Sequence, residues 1–569
     1  QLHAATLAGQ HFIDPKHGPN RLLLRLADNE QVLQEAYDLL FASEVAERHI
    51  APSGEWLLDN FYLIEQQIRA TRLHLPRTYS RELPRLLDGP AAGFPRVYAI
   101  ALELISHSDG RVNAESVSQF VSAYQNETPL TLGELWAVPI MLRLGLIENL
   151  RRVSEHITRR RRDRNLADLW ADRFLKASEH PMTVLRVLAD LAESGPPFSN
   201  PFVETFCSRL QGQSHSLATV QSWVQHRLAD EHLTREQLQR GANQTQAADQ
   251  VSIGNSIGSL RHLNTMDWRR FVETMSVVEA TLRRDPTGVY GSMDFVTRDR
   301  YRHCVETLSR QSGVDEVSVA GEAVRLASAA AHGGSDTART THVGYYLIDK
   351  GQPELERVVR VRFSLRRFLI RKVKGLPVVC YVGSLLLVTA AMTLLFLTGS
   401  HLFDWHDWRI WLLLIPGIVS ISQMAVTLVN LMTNLLVKTS PLPRLDFTKG
   451  IPPASRTMAV VPTLLSSPRD IADLLEGMEL RYVGNQDPNL TFALLTDFRD
   501  ASEEEQPEDA ELVRLVREGI KSLNDRYCPE GPLIFHLFHR PRVWNRHERL
   551  WMGYERKRGK LEQFNELLR

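Results

Sequence analysis

The residues best suited to chemistry lie near the end of the chain, in GYERKRGKLEQFNELLR. Arg556, Lys557, Arg558, Gly559 and Lys560 stand together at the predicted head of a helix that starts near Gly553, and Asn565 follows about two turns later. Cations combined with the free N–H groups of a helix start make an anion site, and Gly559 would let a ligand approach the backbone. A basic helix end alone is usually a solvated face. Two further candidates precede this one. Pro462 and Thr463 end a β-rich run, TMAVVPTL, and Asp497 directly follows another, LTFALLT. A carboxylate at a strand end can accept hydrogen bonds from a uracil or a ribose, or can cap a turn. Ligands of open α/β sheets bind outside the carboxyl ends of the strands, so the three together favour a nucleotide diphosphate site.

These residues need a sheet to hold them. Strands are expected over 457–464, 490–496 and 533–538, the last being LIFHLF. Ser467-Pro468-Arg469-Asp470 reads as a helix start, with Ser467 as N-cap, Pro468 in the first turn and an acidic residue three positions on. A second helix through Leu515 and Ile520 follows the acidic stretch 500–511. Strands alternating with helices imply a mostly parallel sheet.

Ahead of this βα region stand two long apolar runs, 376–399 and 410–437. Neither contains a charge, although the second carries Gln423, Asn430 and Asn434. At 1.5 Å per residue each is long enough to cross a hydrocarbon core of roughly 30 Å. Arg366, Arg367, Arg371, Lys372 and Lys374 precede the first run, and Lys438, Arg444 and Lys449 follow the second. The connector SHLFDWHDWR is acidic and aromatic, with Trp405 and Trp408 joined by Trp411 just beyond. The positive-inside bias therefore predicts a transmembrane hairpin with both flanking regions in the cytoplasm. The basic segment 357–374 would lie along an anionic leaflet, set the topology, or do both.

Residues 1–340 read as successive amphipathic helices, with a possible subdomain break near 235–250. Ser194-Gly195-Pro196-Pro197 punctuates them, and Asp267 is an expected N-cap. The basic run 159–164 is expected to be a solvated helix end, and the charges of 298–303 a surface ion-pair ladder. Residues 327–341 read as a loop or linker. Lys plus Arg and Asp plus Glu each number 67, so no basic surplus points to nucleic acid. Cys207, Cys304, Cys380 and Cys528 are scattered without a CxxC pair, which fits a reducing compartment and gives no metal signal.

The motifs VVPTLL, LRYVGNQDPNLTFALLTDF, FHRPRVWN and WMGYERKRGKLEQFN closely resemble the glycosyltransferase domain of cyclic β-1,2-glucan synthases. EWLLDNF, GELWAVPIMLRLGLIENLRR, DPTGVYGSMDFVTRDRYRH and HVGYYLIDKG resemble the amino-terminal region of the same family. The resemblance implies a cytoplasmic α-helical region over 1–340, a juxtamembrane segment over 341–375 and a two-helix transmembrane hairpin over 376–437. The first half of an α/β transferase domain of the GT-A-like, cellulose-synthase-like type would then occupy 450–569. It implies a multi-pass protein of the bacterial inner membrane that polymerises glucose from UDP-glucose through β-1,2 links and closes the chain into a ring. Expected partners are UDP-glucose, the growing β-1,2-glucan, the lipid bilayer, and the cyclase and phosphorylase-like domains of the full-length protein, with no nucleic acid.

By the same likeness Asp497 would contact the uridine, while Lys557, Gly559 and Asn565 match the nucleotide-binding motif. Pro462, Thr463, Arg558 and Lys560 complete the expected set. The Asp-x-Asp pair that would hold Mg or Mn does not occur in these strands, nor do the later base aspartate and the Gln-x-x-Arg-Trp type motif. They are expected after Arg569, so these 569 residues carry no complete catalytic site and are expected to be inactive alone. Nothing ranks Tyr482, Tyr527 or Tyr554 as a priming residue. The competing readings are a non-catalytic membrane scaffold and a nucleotide-binding regulator.

Overall fold

The computed structural model describes residues 1–14, 21–46, 50–213, 217–230, 234–332, 339–362, 375–399, 408–437 and 441–568. The chain divides into two compact units, Gln1–Gly291 with Asp299–Leu435, and Ser292–Arg298 with Leu436–Arg569. Residues 363–374 of the basic juxtamembrane segment and 400–407 of the hairpin connector lie outside the described residues.

The first unit is helical, and one helix of 46 residues, Leu132–Ala177, is its spine. Thr131 caps it and Glu134 returns the bond to the Thr131 N–H, a reciprocal pair that fixes the start of the helix. Pro139 lies inside it and, lacking an N–H, cannot donate to the Leu135 carbonyl one turn back. The amino-terminal part, including Leu135, Leu146 and Ile157, packs into one hydrophobic core, and Ala167, Trp170 and Phe174 pack into a second. The second core belongs to 167–228, whereas Ile253 to Val272 return to the first. One continuous helix, Arg235–Thr265, runs through the place where a break was expected near 235–250.

Three expectations for this unit are corrected. The basic run 159–164 lies inside the long helix rather than at its end, and Arg161 is buried with its Nε donating to Ser43 Oγ at 3.0 Å. The Ala-rich stretch after Ala327 continues a helix to His332, because alanine favours helix and small side chains pack closely. The cluster 298–303 is a surface ladder only in part: exposed His303 pairs with Asp299 and Glu306 one turn away on either side, while Arg302 joins an interior network. Arg302 is fully buried and donates to Glu279 at 2.6 Å, Glu273 at 3.2 Å and Asp299 at 3.1 Å. The Tyr290 hydroxyl donates to the same Glu279 carboxylate at 2.6 Å. Arg96 and Glu134 form a second buried pair, bidentate at 2.8 and 2.6 Å. The expected N-cap at Asp267 and the break at Gly195, which is left-handed at φ 56°, are both present.

The apolar runs form the helices Pro377–Gly399 and Trp408–Leu436, and both are long and apolar enough to cross a membrane. The Tyr381 hydroxyl donates to Asn430 Oδ1 at 2.9 Å, joining one helix to the other.

The second unit is an α/β layer structure. Its elements are β1 (Thr457–Leu465), α1 (Pro468–Gly484), β2 (Leu490–Phe498), α2 (Asp509–Tyr527), β3 (Phe535–Arg540), the short β4 (Val543–Asn545) and β5 (Leu550–Met552), and α3 (Arg556–Leu568). Strands β1, β2 and β3 form a parallel sheet with β2 in the middle, and β4 pairs with β5 in an antiparallel hairpin. Ser467 caps α1 through the Asp470 N–H, as its sequence predicts. Alternation sorts β2 into two faces. Phe492 and Leu494 meet Ile471, Met478, Leu512, Val516 and Phe535 in the core under α1 and α2. Residues of the other parity, Ala493, Leu495 and Asp497, are equally buried. On that face Phe538 stacks edge-on against Phe564 of α3, with ring centroids 4.9 Å apart.

His303 yields a pH prediction for the helical unit. It lies between Asp299 (3.3 Å) and Glu306 (2.9 Å), and these two partners, Asp299 first, push its pKa from 6.5 up to about 9. Stability from this raised value is full below pH 6.5 and is lost as pH rises through about 9. Thermal melts of the wild type and His303→Gln across that window check it. The wild type is expected to lose more of its melting temperature between the two ends than the variant does.

Candidate functional site

The site is built by strand register. Asp497 is the penultimate residue of β2, and in the parallel ladder it stands directly beside Leu464 of β1 and Arg540 of β3. Its parity turns it to the face that α3 covers, where it is 1% exposed. A buried carboxylate has to be neutralised by partners, since the desolvation cost is several kcal/mol per ion. Both oxygens are matched. Lys560 Nζ, from the second turn of α3, donates to Asp497 Oδ1 at 2.6 Å and to the Thr463 carbonyl at 2.6 Å. Arg540 donates to Asp497 Oδ2 at 2.8 Å.

Arg540 also fastens the segment that leads into α3. It donates to the carbonyls of Tyr554 at 3.0 Å and Arg556 at 3.3 Å. Glu555 and Arg556 both have positive φ, so this turn is strained and is held by those bonds. Close packing leaves room only for glycine at two points. A Cβ on Gly553 would lie 2.3 Å from Asp497 Oδ2, and one on Gly559 would lie 2.5 Å from the Tyr554 carbonyl. The Gly559 Cβ would also be 3.1 Å from the Arg540 guanidinium. Gly559 therefore admits protein atoms, where the sequence reading had it open to a ligand.

Two arginines, one ending β3 and one just beyond it, do different work. Arg540 faces Asp497, while Arg542 is buried, pairs with Asp509 at the start of α2, and lies 4.7 Å from the Phe498 ring. Between the sheet and this second pair, Thr496 Oγ1 meets His539 Nδ1 at 2.9 Å. Burial lowers the His539 pKa below its usual value, so this imidazole is neutral near pH 7.

The sequence-predicted residues separate into two groups. Thr463, Asp497, Gly559 and Lys560 converge at the carboxyl ends of β1 and β2, and Pro462 lies one position before Thr463 in β1. Lys557, Arg558 and Asn565 are on the exposed side of α3, where they line an open depression with Leu561, Glu562 and Glu566. The helical period explains the division: Lys560 and Phe564 define the buried stripe, and Lys557, Leu561 and Asn565 run parallel to it. Of the cations at the helix head, Arg556 pairs with Asp500 at 2.6 Å and Arg558 is 3.5 Å from Glu555. Asp497 lies inside its strand rather than after it. Arg540 and Gly553 were not singled out from the sequence, and only the polar end of LIFHLFHRPR hinted at them.

Can Asp497 hold the divalent ion that the family likeness associates with the full-length enzyme? It does not fit there, because each carboxylate oxygen already accepts a bond from a cationic side chain. The site as built is a place for hydrogen-bond recognition and for anions. Asp497, Arg540 and Lys560 together carry one net positive charge, and exposed Lys557 and Arg558 extend it along α3.

Comparison with known proteins places the chain beside one curated relative and no family model. The chain is 32% identical over 560 residues to the cyclic beta-(1,2)-glucan synthase NdvB of Rhizobium meliloti (strain 1021). The match takes in 98% of this chain and 20% of that protein, so the chain spans about a fifth of the length of the curated relative it matches. No family model matches the chain. The resemblance read from separate motifs thus extends along almost the whole sequence.

The packing around Asp497 makes a testable claim. Gly553→Ala is expected to destabilise the α/β unit by about 1–3 kcal/mol, the usual cost of forcing an extra methyl into a packed site. Gly484→Ala, where an added Cβ meets nothing within 4 Å, is the control and leaves the unit unchanged. Denaturant unfolding followed by the fluorescence of Trp544 and Trp551 separates the two.

Proposed function

From this likeness to a glucan synthase, we propose that the chain is part of a membrane glucosyltransferase. Residues 450–569 would supply the nucleotide-binding half of its UDP-glucose site. The observation that carries the reading is Asp497, buried at the carboxyl edge of the central parallel strand and fixed from both sides by Lys560 and Arg540. A parallel sheet presents its ligand site at that edge. A fixed carboxylate there suits the N–H of a uracil or the hydroxyls of a ribose, each of its oxygens retaining a lone pair. The surplus positive charge beside it suits a diphosphate. The three parallel strands with intervening helices are consistent with the opening of a GT-A-like domain of the cellulose-synthase type.

The product of the full-length enzyme would be a β-1,2-linked glucan closed into a ring, following the name of the relative. The two apolar helices would cross the bacterial inner membrane as a hairpin and leave the helical region and the α/β unit in the cytoplasm, since the basic residues flank its two ends. Within these 569 residues the chemistry stops at binding. Asp497 and its partners hold the nucleotide, and the general base and metal ligands come from sequence outside this chain.

Calorimetry on the chain in detergent with UDP, UDP-glucose and ATP tests the proposal. UDP and UDP-glucose are expected to bind, and ATP to bind at least tenfold more weakly. Asp497→Asn is expected to reduce UDP affinity at least tenfold, about 1.4 kcal/mol, and Lys557→Ala to reduce it less. Equal binding of ATP would favour a general nucleotide-binding regulator. Turnover of UDP-glucose by this polypeptide would contradict the assignment of its catalytic groups elsewhere.

A further inference from the structure

In the helical unit, the first helix of the chain, Leu2–Gln10, brings a histidine to a helix that already carries a chelating pair. Glu103 and His107 are four residues apart on Arg96–His107, so their side chains project from one face, one turn apart. His3 approaches that pair from Leu2–Gln10. Its Nε2 is 3.2 Å from Glu103 Oε2, and its ring centroid is 3.9 Å from that of His107 at an interplanar angle of 63°. One ligand atom from each of the three residues lies within 4.8 Å of the other two.

We propose that His3, Glu103 and His107 bind one divalent transition-metal ion, zinc by the chemistry of the donors. Two imidazoles and one carboxylate from two elements form a three-ligand set of the kind zinc takes, with a fourth position left to water. Tetrahedral bonds of about 2.0–2.2 Å place ligand atoms roughly 3.3 Å apart. The His3–Glu103 pair already has that separation. His107 closes the rest by side-chain torsion, for which its exposure leaves room. Softer donors and an all-oxygen shell are both missing from the set, which argues against copper(I) and against magnesium or calcium.

The surroundings support the arrangement. Ala4 and Ala8 bury the other face of the first helix, so His3 is held over Glu103 by packing rather than by its own mobility. Phe120, from the helix Ala114–Gln125, stands beside the His3 ring with centroids 6.3 Å apart and walls one side of the set. Bound metal would then fasten the first helix to Arg96–His107.

Zinc titration of the chelator-treated full chain in detergent tests this, with cobalt(II) as the spectroscopic probe. The expected result is one equivalent of zinc, a raised melting temperature, and weak visible cobalt bands without thiolate charge-transfer absorption. His107→Ala is expected to weaken zinc at least tenfold, and His3→Ala with His107→Ala to remove the equivalent. Glu103→Gln, which preserves side-chain size, gives an intermediate loss and guards against misfolding as the explanation. Zinc affinity unchanged in the double variant, or no saturable uptake by the wild type, overturns the proposal.

Discussion

One buried carboxylate sets the layout of the α/β unit. Asp497 lies where almost no water reaches it, and an unpaired charge there would cost several kcal/mol. Its neutralisation therefore dictates three otherwise unrelated features. The register of β2 against β3 has to put Arg540 beside it. The second turn of α3 has to bring Lys560 over the ends of β1 and β2. The backbone between β5 and α3 has to pass at a distance that only Gly553 allows. A slip of one residue in β2 would turn the carboxylate toward the α1–α2 core, which offers Phe492 and Leu494 in place of cations, and one in β3 would turn Arg540 away from it. The ion triad thus acts as a check on register as well as a candidate recognition surface.

Much of this was legible in the sequence, and what was not legible has a definite cause. The βα alternation, the Ser467 cap, and the presence of Thr463 and Asp497 at strand ends and of Lys560 near a helix start follow from local patterns. Local patterns do not reveal register, so Arg540 gave no sign that it would be the cross-strand partner of Asp497. Helix phase was the other gap. Lys557 and Lys560 look equivalent as neighbours in a basic run, yet only Lys560 shares the buried stripe with Phe564, and Lys557 stays in solvent. Gly559 shows the same limit, because a glycine required by a ligand and one required by a carbonyl are identical in sequence.

The helical unit repeats the lesson with longer reach. Arg302 sits in a run that reads as a surface ladder, yet it and Arg96 are both almost completely enclosed. Arg302 is satisfied by Glu279, which lies 23 residues earlier, and Arg96 by Glu134, which lies 38 residues later. Charge patterning sees the i,i+3 and i,i+4 partners of a residue and no others. Breaking either pair would strand its carboxylate, so these networks specify how the helices meet even where they add little net stability. Glu134 does this twice over, serving as the cap partner of the long helix and as the counter-ion of Arg96.

The two apolar helices differ from both units in what their surfaces ask of the surroundings. Leu387 and Leu395 are 70% and 73% exposed, as are Leu435 and Leu436 at 71% and 73%. A soluble protein buries side chains of this size at a gain of about 1.5–3 kcal/mol each. Of the described side chains of the second helix, only Ala425 and Val429 are buried. The polar groups follow a different rule. Tyr381 and Asn430 satisfy each other, while Thr393, Thr427 and Thr433 return their hydroxyls to carbonyls one turn back, as hydroxyls do where water is scarce. Apolar surface turned outward, with hydroxyls bonded within or between the two helices, is compatible with a lipid surrounding. Length, composition and exposure together make these two helices candidate membrane spans.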